Sequence, residues 1–376
     1  MEQTVAGLAD DLLQYFPDES TVDDHYRSLA RHCGIAWRDR PLTPAQDVPF
    51  QQAMAAGIAG LDEAASGFRI ALPPSPASLA ALTRHDLSGR SDVVMLPPAA
   101  FRTMLREQAR DEVLDHASNH LARIRPGESA RTGMTKQHGW LAGIAVGVFL
   151  LGLWLSPQKA IASLSLLSTP LFFALLVLRL GAVIDGWLAR SPRISLLGDA
   201  DLPVYSMLVP LYREPAIIPQ LLTTLLRLGY PPDRLDIKIL IEEDDLATRT
   251  ALSGIHLPEH IDVLVAPDGL PRTTPRALNI GLIEARGALL TIYGAEDRPD
   301  PGQLRLAASL FRALPASIAC LQGRLVIDNV DDSPLTRMFA LEYAALFDVV
   351  NAGLMRTGLP VLPGGTSNHF RTAVLR

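Results

Sequence analysis

Between residues 137 and 178 one charged side chain, Lys159, interrupts an otherwise uncharged and mostly apolar run. Residues 137–158 form its first half and residues 160–178 its second. A helix needs about 20 mainly apolar residues to cross a bilayer, and both halves approach that length. The second half lengthens past Arg179 if that side chain snorkels to the interface. Two buried core helices are the alternative, but two such runs back to back are rare in soluble domains. The run lies too deep in the chain to be a signal peptide. Arg123, Arg125, Arg131 and Lys136 precede it, and Arg179, Arg190 and Arg193 follow. The turn at 156–159 carries only Lys159. The excess of cations on both flanks places them in the cytoplasm and the turn outside. The expectation is a multi-pass protein of the inner (cytoplasmic) membrane. A two-helix transmembrane hairpin at 139–188 would join a cytoplasmic domain on each side.

The 376 residues suffice for two or three structural units. With 48% apolar and 20% charged residues, intrinsic disorder is excluded. Lys and Arg number 34 against 40 Asp and Glu, a net charge of −6 with no basic stripe, so no nucleic-acid partner is expected. Cys33 and Cys320 stand far apart and form neither a disulfide framework nor a CxxC knuckle. A reducing compartment is the default reading.

Residues 1–130 read as a small α+β domain, and 131–138 as a linker into the membrane. Strand-like runs occur at 68–72 and 93–96. Residues 98–124 predict one long helix, because Phe101, Leu105, Ala109, Val113, Ala117 and Leu121 recur at helical spacing. His116 and His120 lie four apart on it, but no third metal ligand is apparent, so they read as solvated helix histidines.

From about residue 200 strands and helices alternate. Short β-branched or apolar runs fall at 204–209, 237–241, 261–265 and 289–293. Between the first two, Pro215 opens a helix with the stripe Ile218, Leu221, Leu222, Leu225 and Leu226, and Gly229 with Pro231 stops it. Residues 275–286 predict another helix, closed by Gly287. Such alternation implies a mainly parallel sheet buried on both faces, with ligands at the carboxyl ends of its strands.

The loops at those ends are Pro210-Leu-Tyr-Arg-Glu214, Glu242-Glu-Asp-Asp245 and Gly294-Ala-Glu-Asp297. Each acidic cluster alone reads as a solvated turn. Together, at neighbouring strand ends, they form an anionic mouth that repels itself unless a cation sits within. A hard divalent ion shared with substrate phosphates relieves that repulsion and makes a nucleotide-diphosphate substrate plausible. The chain has no P-loop, no GxGxxG after a strand and no GxSxG elbow.

Residues from about 200 to the end resemble family 2 glycosyltransferases, of the processive, membrane-embedded type related to bacterial cellulose synthase. The segments Val209-Pro-Leu-Tyr-Arg-Glu214, Glu242–Asp245, Arg272-Thr-Thr-Pro-Arg-Ala-Leu-Asn279, Ala295-Glu-Asp-Arg-Pro-Asp-Pro301, Cys320-Leu-Gln-Gly-Arg-Leu325 and Gly364-Gly-Thr-Ser-Asn-His-Phe-Arg371 come in the family's order. The resemblance implies an α/β, GT-A-like nucleotide-sugar domain at 200–376. It also implies metal-dependent, inverting transfer of a sugar from a nucleotide sugar, UDP-linked, to a polysaccharide or glycan acceptor, with polysaccharide export subunits as further partners. Pro210, Tyr212, Glu214, Arg276 and Asn279 would line the nucleoside. Asp245 would take its hydrogen bonds, with Asp244 as second candidate. Glu296 and Asp297 would hold Mg²⁺ or Mn²⁺. Gln322, Gly364, Gly365, Thr366, Ser367 and Asn368 would face the sugar and acceptor, with His369 a candidate base.

Two departures accompany the resemblance. Gly294 stands where relatives carry Asp. The Thr-Glu-Asp motif with the base and the Gln-x-x-Arg-Trp motif do not occur before Arg376, so the chain reads as the front portion of a longer enzyme. The other-class alternative is a catalytically inactive, membrane-tethered protein that binds nucleotide sugars or regulates. Residues 1–130 faintly resemble the N-terminal domain of type II secretion ATPases; cyclic-dinucleotide sensing there is a third idea without an Arg-rich or Gly-rich signature.

Overall fold

The computed structural model describes residues 19–376 apart from 46–47, 49, 74–81, 83–86, 189–193, 256, 259 and 362. Arg190 and Arg193 of the second basic flank lie outside the described residues. The chain forms two compact units, Met1–Ser118 and Asn119–Arg376.

The first unit holds strands β1 (Ala36–Trp37), β2 (Ala59–Gly60), β3 (Ile70–Leu72) and β4 (Val93–Met95). They form one sheet in the order β1-β4-β3-β2, with β4 parallel to both neighbours. Val93, Val94 and Met95 are fully buried, as befits a central strand covered on both faces. The single helix expected over 98–124 is instead two, Pro98–Gln108 and Arg110–Ile124, parted at Ala109 (φ −87°, ψ 11°). The apolar stripe is nonetheless buried from Phe101 to Ala117, and only Leu121 is exposed.

In the second unit the uncharged run forms two helices, Lys136–Leu155 and Pro157–Leu188. Thr135 caps the first by accepting the His138 N–H at 3.3 Å. At 20 and 32 residues they reach about 30 and 48 Å. Their apolar side chains face outward all round, and Trp140 and Trp154 stand exposed near opposite ends of the first. A helix that is apolar on every face cannot be satisfied by water.

The remaining strands are β5 (Tyr205–Leu211), β6 (Leu235–Glu242), β7 (Ile261–Ala266), β8 (Leu289–Ile292), β9 (Cys320–Gln322) and β10 (Asn368–Arg371). Their order is β7-β6-β5-β8-β10-β9. The first four run parallel, and β10 runs antiparallel to β8 and β9. Alternate residues feed two cores. Met207, Val209, Ile237, Ile239 and Ile241 join the larger, and Leu208, Leu240 and Leu290 the smaller. The helix Thr274–Glu284 covers the smaller face. It lies so close that a Cβ on Gly281 would meet Leu208 Cδ2 at 2.9 Å. Lys238 is buried in β6 between Asp236 and Asp262, at 3.2 Å from each carboxylate. Burial would raise the Asp236 pKa, but Lys238 and Arg286 hold it below the usual carboxylate range.

Between β9 and β10 runs a helix that the sequence reading missed, Pro334–Arg356, the third in the chain long and apolar enough to cross a membrane. Its middle, Ala345–Val350, widens into a π-helical turn.

Candidate active site

The parallel strands bring the first two loops together. Arg213, directly after β5, has φ 58°, a left-handed conformation that costs a non-glycine residue about 1–2 kcal/mol. The turn delivers its backbone N–H to Asp245 at 2.5 Å. Its guanidinium lies over the Tyr212 ring, 4.8 Å from the centroid, and 3.6 Å from Asp244. Asp245 is buried and also caps the helix Leu246–Ser253 by accepting the Thr248 N–H at 3.1 Å. Burial would raise its pKa, but the N–H donors of Arg213 and Thr248 outweigh that and lower it.

Asp244 is the carboxylate left at the surface. It takes hydrogen bonds from the Tyr212 hydroxyl and from Arg272, both at 3.3 Å. Arg272 also grips Asp268 at 2.6 Å. Beneath them Arg276 is almost wholly buried and ion-paired with Glu242. Burial raises the Glu242 pKa despite that cation. The Nε and Nη1 atoms of Arg276 have no hydrogen-bond partner among the described residues. The outer surface is thus a flat, exposed aromatic ring beside a carboxylate and two guanidinium groups. Pro210 is half-buried in β5, Glu214 is exposed ahead of the turn Pro215–Ile217, and Asn279 lies on the exposed side of its helix.

The loop after β8 meets the loop before β10. The Gly294 N–H donates to Asp297 at 2.6 Å and to the Thr366 hydroxyl at 3.2 Å. Thr366 donates in turn to Asp297. Gln322 closes the other side, accepting the Gly364 N–H at 2.6 Å and donating to the Thr366 carbonyl at 3.1 Å. Ser367 (φ 56°) is buried and donates its N–H to the Ile292 carbonyl at 2.8 Å. Asn368 is buried and donates to the Gly364 carbonyl. Gly365 is exposed at the tip, where a Cβ would meet nothing within 4 Å.

Glu296 differs from its neighbours. It is exposed, and among the described residues its carboxylate makes no hydrogen bond or ion pair. That carboxylate folds over Gly294, where an added Cβ would stand 2.9 Å from its Oε2. No group of three or more His, Cys, Asp or Glu able to hold a metal occurs among the described residues. A metal held by the protein alone therefore does not fit. An ion shared between one carboxylate and substrate phosphates does, since Mg²⁺ is commonly bound through one or two carboxylates plus phosphate oxygens.

Residues 203–376 match the family described as "Glycosyltransferase like family 2". They form a family 2-like glycosyltransferase domain. The probable glycosyltransferase YdaM of Bacillus subtilis (strain 168) is 31% identical over 147 residues, which cover 38% of this chain. The chain spans 34% of that relative's length. Among solved structures, the glycosyltransferase domain is similar to a mannosyltransferase, PcManGT, from Pyrobaculum calidifontis in complex with GDP-Man and Mn²⁺. That match has TM-score 0.39 and 17% identity, and covers 54% of this chain and 56% of that one. Another is TarS of S. aureus with UDP-GlcNAc, with TM-score 0.31, 18% identity and 46% of each chain covered.

Three expectations for the glycosyltransferase domain change with its geometry. His369 is no surface base. It is buried in β10, its Nδ1 hydrogen-bonds the Tyr205 hydroxyl at 2.7 Å, and burial lowers its pKa to about 4. Asp245 serves the backbone, so Asp244 takes its place at the surface. Asp297 is occupied in tying two loops together, which leaves Glu296 as the outward carboxylate there. Arg213 and Arg272 join the site unforeseen; the only signal for them was their place in the loops quoted above.

Proposed function

We propose that the glycosyltransferase domain transfers a sugar from a nucleotide-diphosphate sugar, UDP-linked, to a hydroxyl of a polysaccharide or glycan acceptor, with inversion. The observation that carries this reading is the convergence of four loops at one end of the sheet, each turning one distinct group outward. These groups are the Tyr212 ring, Asp244, Glu296 and the tip of loop 364–368.

In this reading Tyr212 stacks on the base and Asp244 accepts a ribose hydroxyl. Pro210, Glu214, Arg276 and Asn279 shape the floor and rim. Arg213 and Arg272 fix the Asp244 carboxylate and add positive charge where the diphosphate approaches. Glu296 would hold Mg²⁺ or Mn²⁺. When bound, the ion neutralises charge on the diphosphate leaving group. Asp297, Thr366 and Gln322 fix loop 364–368 so that the Gly365 tip meets the sugar or acceptor. His369 takes no proton from the acceptor, because it is buried and faces Tyr205.

The two helices Lys136–Leu155 and Pro157–Leu188 are read as a membrane hairpin of the inner (cytoplasmic) membrane, with both flanking units in the cytoplasm and the N-terminal unit regulatory. Polysaccharide export subunits are the partners such an enzyme would need. The lone outward carboxylate over Gly294 favours a second reading, a protein that binds nucleotide sugars without turnover. Calorimetry of UDP and UDP-sugars with and without Mn²⁺ tests the shared part, and a radiolabelled transfer assay separates the two. UDP affinity that Mn²⁺ strengthens, and that Glu296→Gln renders Mn²⁺-independent, is the expected result. Absence of any UDP affinity would refute both readings.

A further inference from the structure

The helix Pro334–Arg356 is long enough to cross a bilayer, yet the chain around it does not let it cross. It leaves β9 and returns to β10, and these strands are paired at Gln322 and Asn368. On the return side the chain is already back at the sheet by Gly364, whose N–H bonds the Gln322 side chain at 2.6 Å. Eight residues separate Arg356 from Gly364, and fully extended they reach about 28 Å. That falls short of a hydrocarbon core of about 30 Å even before the sheet's own distance from the bilayer is added. On the outgoing side stand Arg324, Asp328, Asp331 and Asp332. Asp328 is held 3.7 Å from Arg298, in the loop after β8. Charges of this number are not drawn through hydrocarbon. Both ends of the helix therefore stay on the sheet's side.

The helix nevertheless exposes apolar surface. Leu335, Met338, Phe339 and Leu346 lie outward at helical spacing, widened by Leu341 and Met355. Glu342 sits within that stripe and is also exposed. A spanning helix would bury this charge, whereas a helix lying flat lifts it to the head groups. The helix is moreover fixed to the second apolar helix. Gly353 packs on Ala182 so closely that a Cβ would stand 2.3 Å from the alanine Cβ, and Arg356 pairs with Asp185 at 2.7 Å. The apolar stripe is thus continuous with a helix whose own surface is lipid-compatible.

We infer that Pro334–Arg356 is an in-plane lipid-docking helix, lying in the head-group region on the sheet's side of the bilayer and holding loop 364–368 at the membrane surface. The inference rests on the membrane reading of the hairpin. Its link to the loop is direct. The π-turn carries Phe347, whose ring would meet a Cβ on Gly364 at 3.5 Å, and Asp348, paired with Arg324 at 2.8 Å.

The test uses the full chain with Cys33→Ser and Cys320→Ser, reconstituted in sealed phosphatidylcholine–phosphatidylglycerol vesicles. Single cysteines at Arg337, Thr357 and Ser156 are treated with a membrane-impermeant maleimide, and orientation is scored from the N-terminus. Cysteines replacing Arg337 and Thr357 are expected to label from one side, and the one replacing Ser156 from the other. A bimane on Leu341→Cys is expected to be quenched at least twofold more by lipids brominated near the head group than by lipids brominated near the chain ends. Labelling of positions 337 and 357 from opposite sides would mean the helix crosses, and the inference falls. Same-side labelling without bromine quenching would mean that protein or water covers the face, and it falls as well. If position 156 labels from the same side as the other two, the hairpin reading itself fails and takes the inference with it. UDP affinity is independent of all three outcomes.

Discussion

The two acidic turns, 242–245 and 294–297, are alike in sequence and differ in what surrounds their carboxylates. In the first, Glu242 is paired with Arg276, Glu243 accepts the Asp268 N–H at 2.8 Å and Asp245 accepts two backbone N–H groups. Asp244 alone turns outward, and two arginines meet it. In the second, Asp297 is consumed by Gly294 and Thr366, while Glu296 turns outward and meets no cation among the described residues. A cluster of carboxylates is therefore no measure of a metal site. Most of these groups hold the backbone, and each turn spares one. The spared one beside cations suits a neutral hydroxyl donor, and the bare one suits an ion.

The sharpest way to break this comparison is to strip the buried partner from the first turn. Arg276→Ala leaves Glu242 desolvated and unpaired, and about 3–5 kcal/mol of unfolding free energy should be lost in a denaturant titration. A pH series probes the strand behind the second turn. His369 is depressed to about 4 from an ordinary 6.5. Its contribution is whole above pH 6.5 and drains away as pH falls toward 4, because the unfolded chain then binds the proton first. The loss is about 3 kcal/mol at the acid end. His369→Phe should flatten that slope, whatever it does to absolute stability. Asp245→Ala removes a helix cap and the acceptor for Arg213, and should cost about 1–3 kcal/mol in thermal unfolding.

The outward pair should behave oppositely. Glu296→Gln should leave stability within about 0.5 kcal/mol and abolish the Mn²⁺-dependent gain in UDP affinity measured by calorimetry. Asp244→Asn should likewise fold normally and weaken UDP binding roughly tenfold, the loss of one charge-assisted hydrogen bond of about 1.5 kcal/mol. If Asp244→Asn unfolds the domain while Asp245→Ala does not, the assignment of the two roles is reversed.

The hairpin, the parallel strands and the order of the loops were legible because each is a local signal. Uncharged runs, β-branched runs and turn residues declare themselves within a dozen positions. The division of labour among carboxylates was not legible, because their partners are remote in sequence. Asp245 answers to Arg213, 32 residues away, and Asp297 to Thr366, 69 away. His369 invited a chemical role by its pKa class, and only its place against Tyr205 in the sheet removes it. The helix Pro334–Arg356 escaped notice because Arg337, Glu342 and Asp348 break its apolar run. An in-plane helix needs one apolar stripe and no uncharged stretch, so a search for uncharged stretches passes over it.

Arg213 sets stability and binding against each other. Its left-handed backbone is a cost that glycine would remove. Arg213→Gly would thus pass a screen for folded, heat-resistant protein, with a gain of up to about 1 kcal/mol. The same change would take away the guanidinium from Tyr212 and Asp244 and free the turn to wander. Selection for robustness alone would drift toward glycine at this position, so an arginine here records selection for what the loop holds.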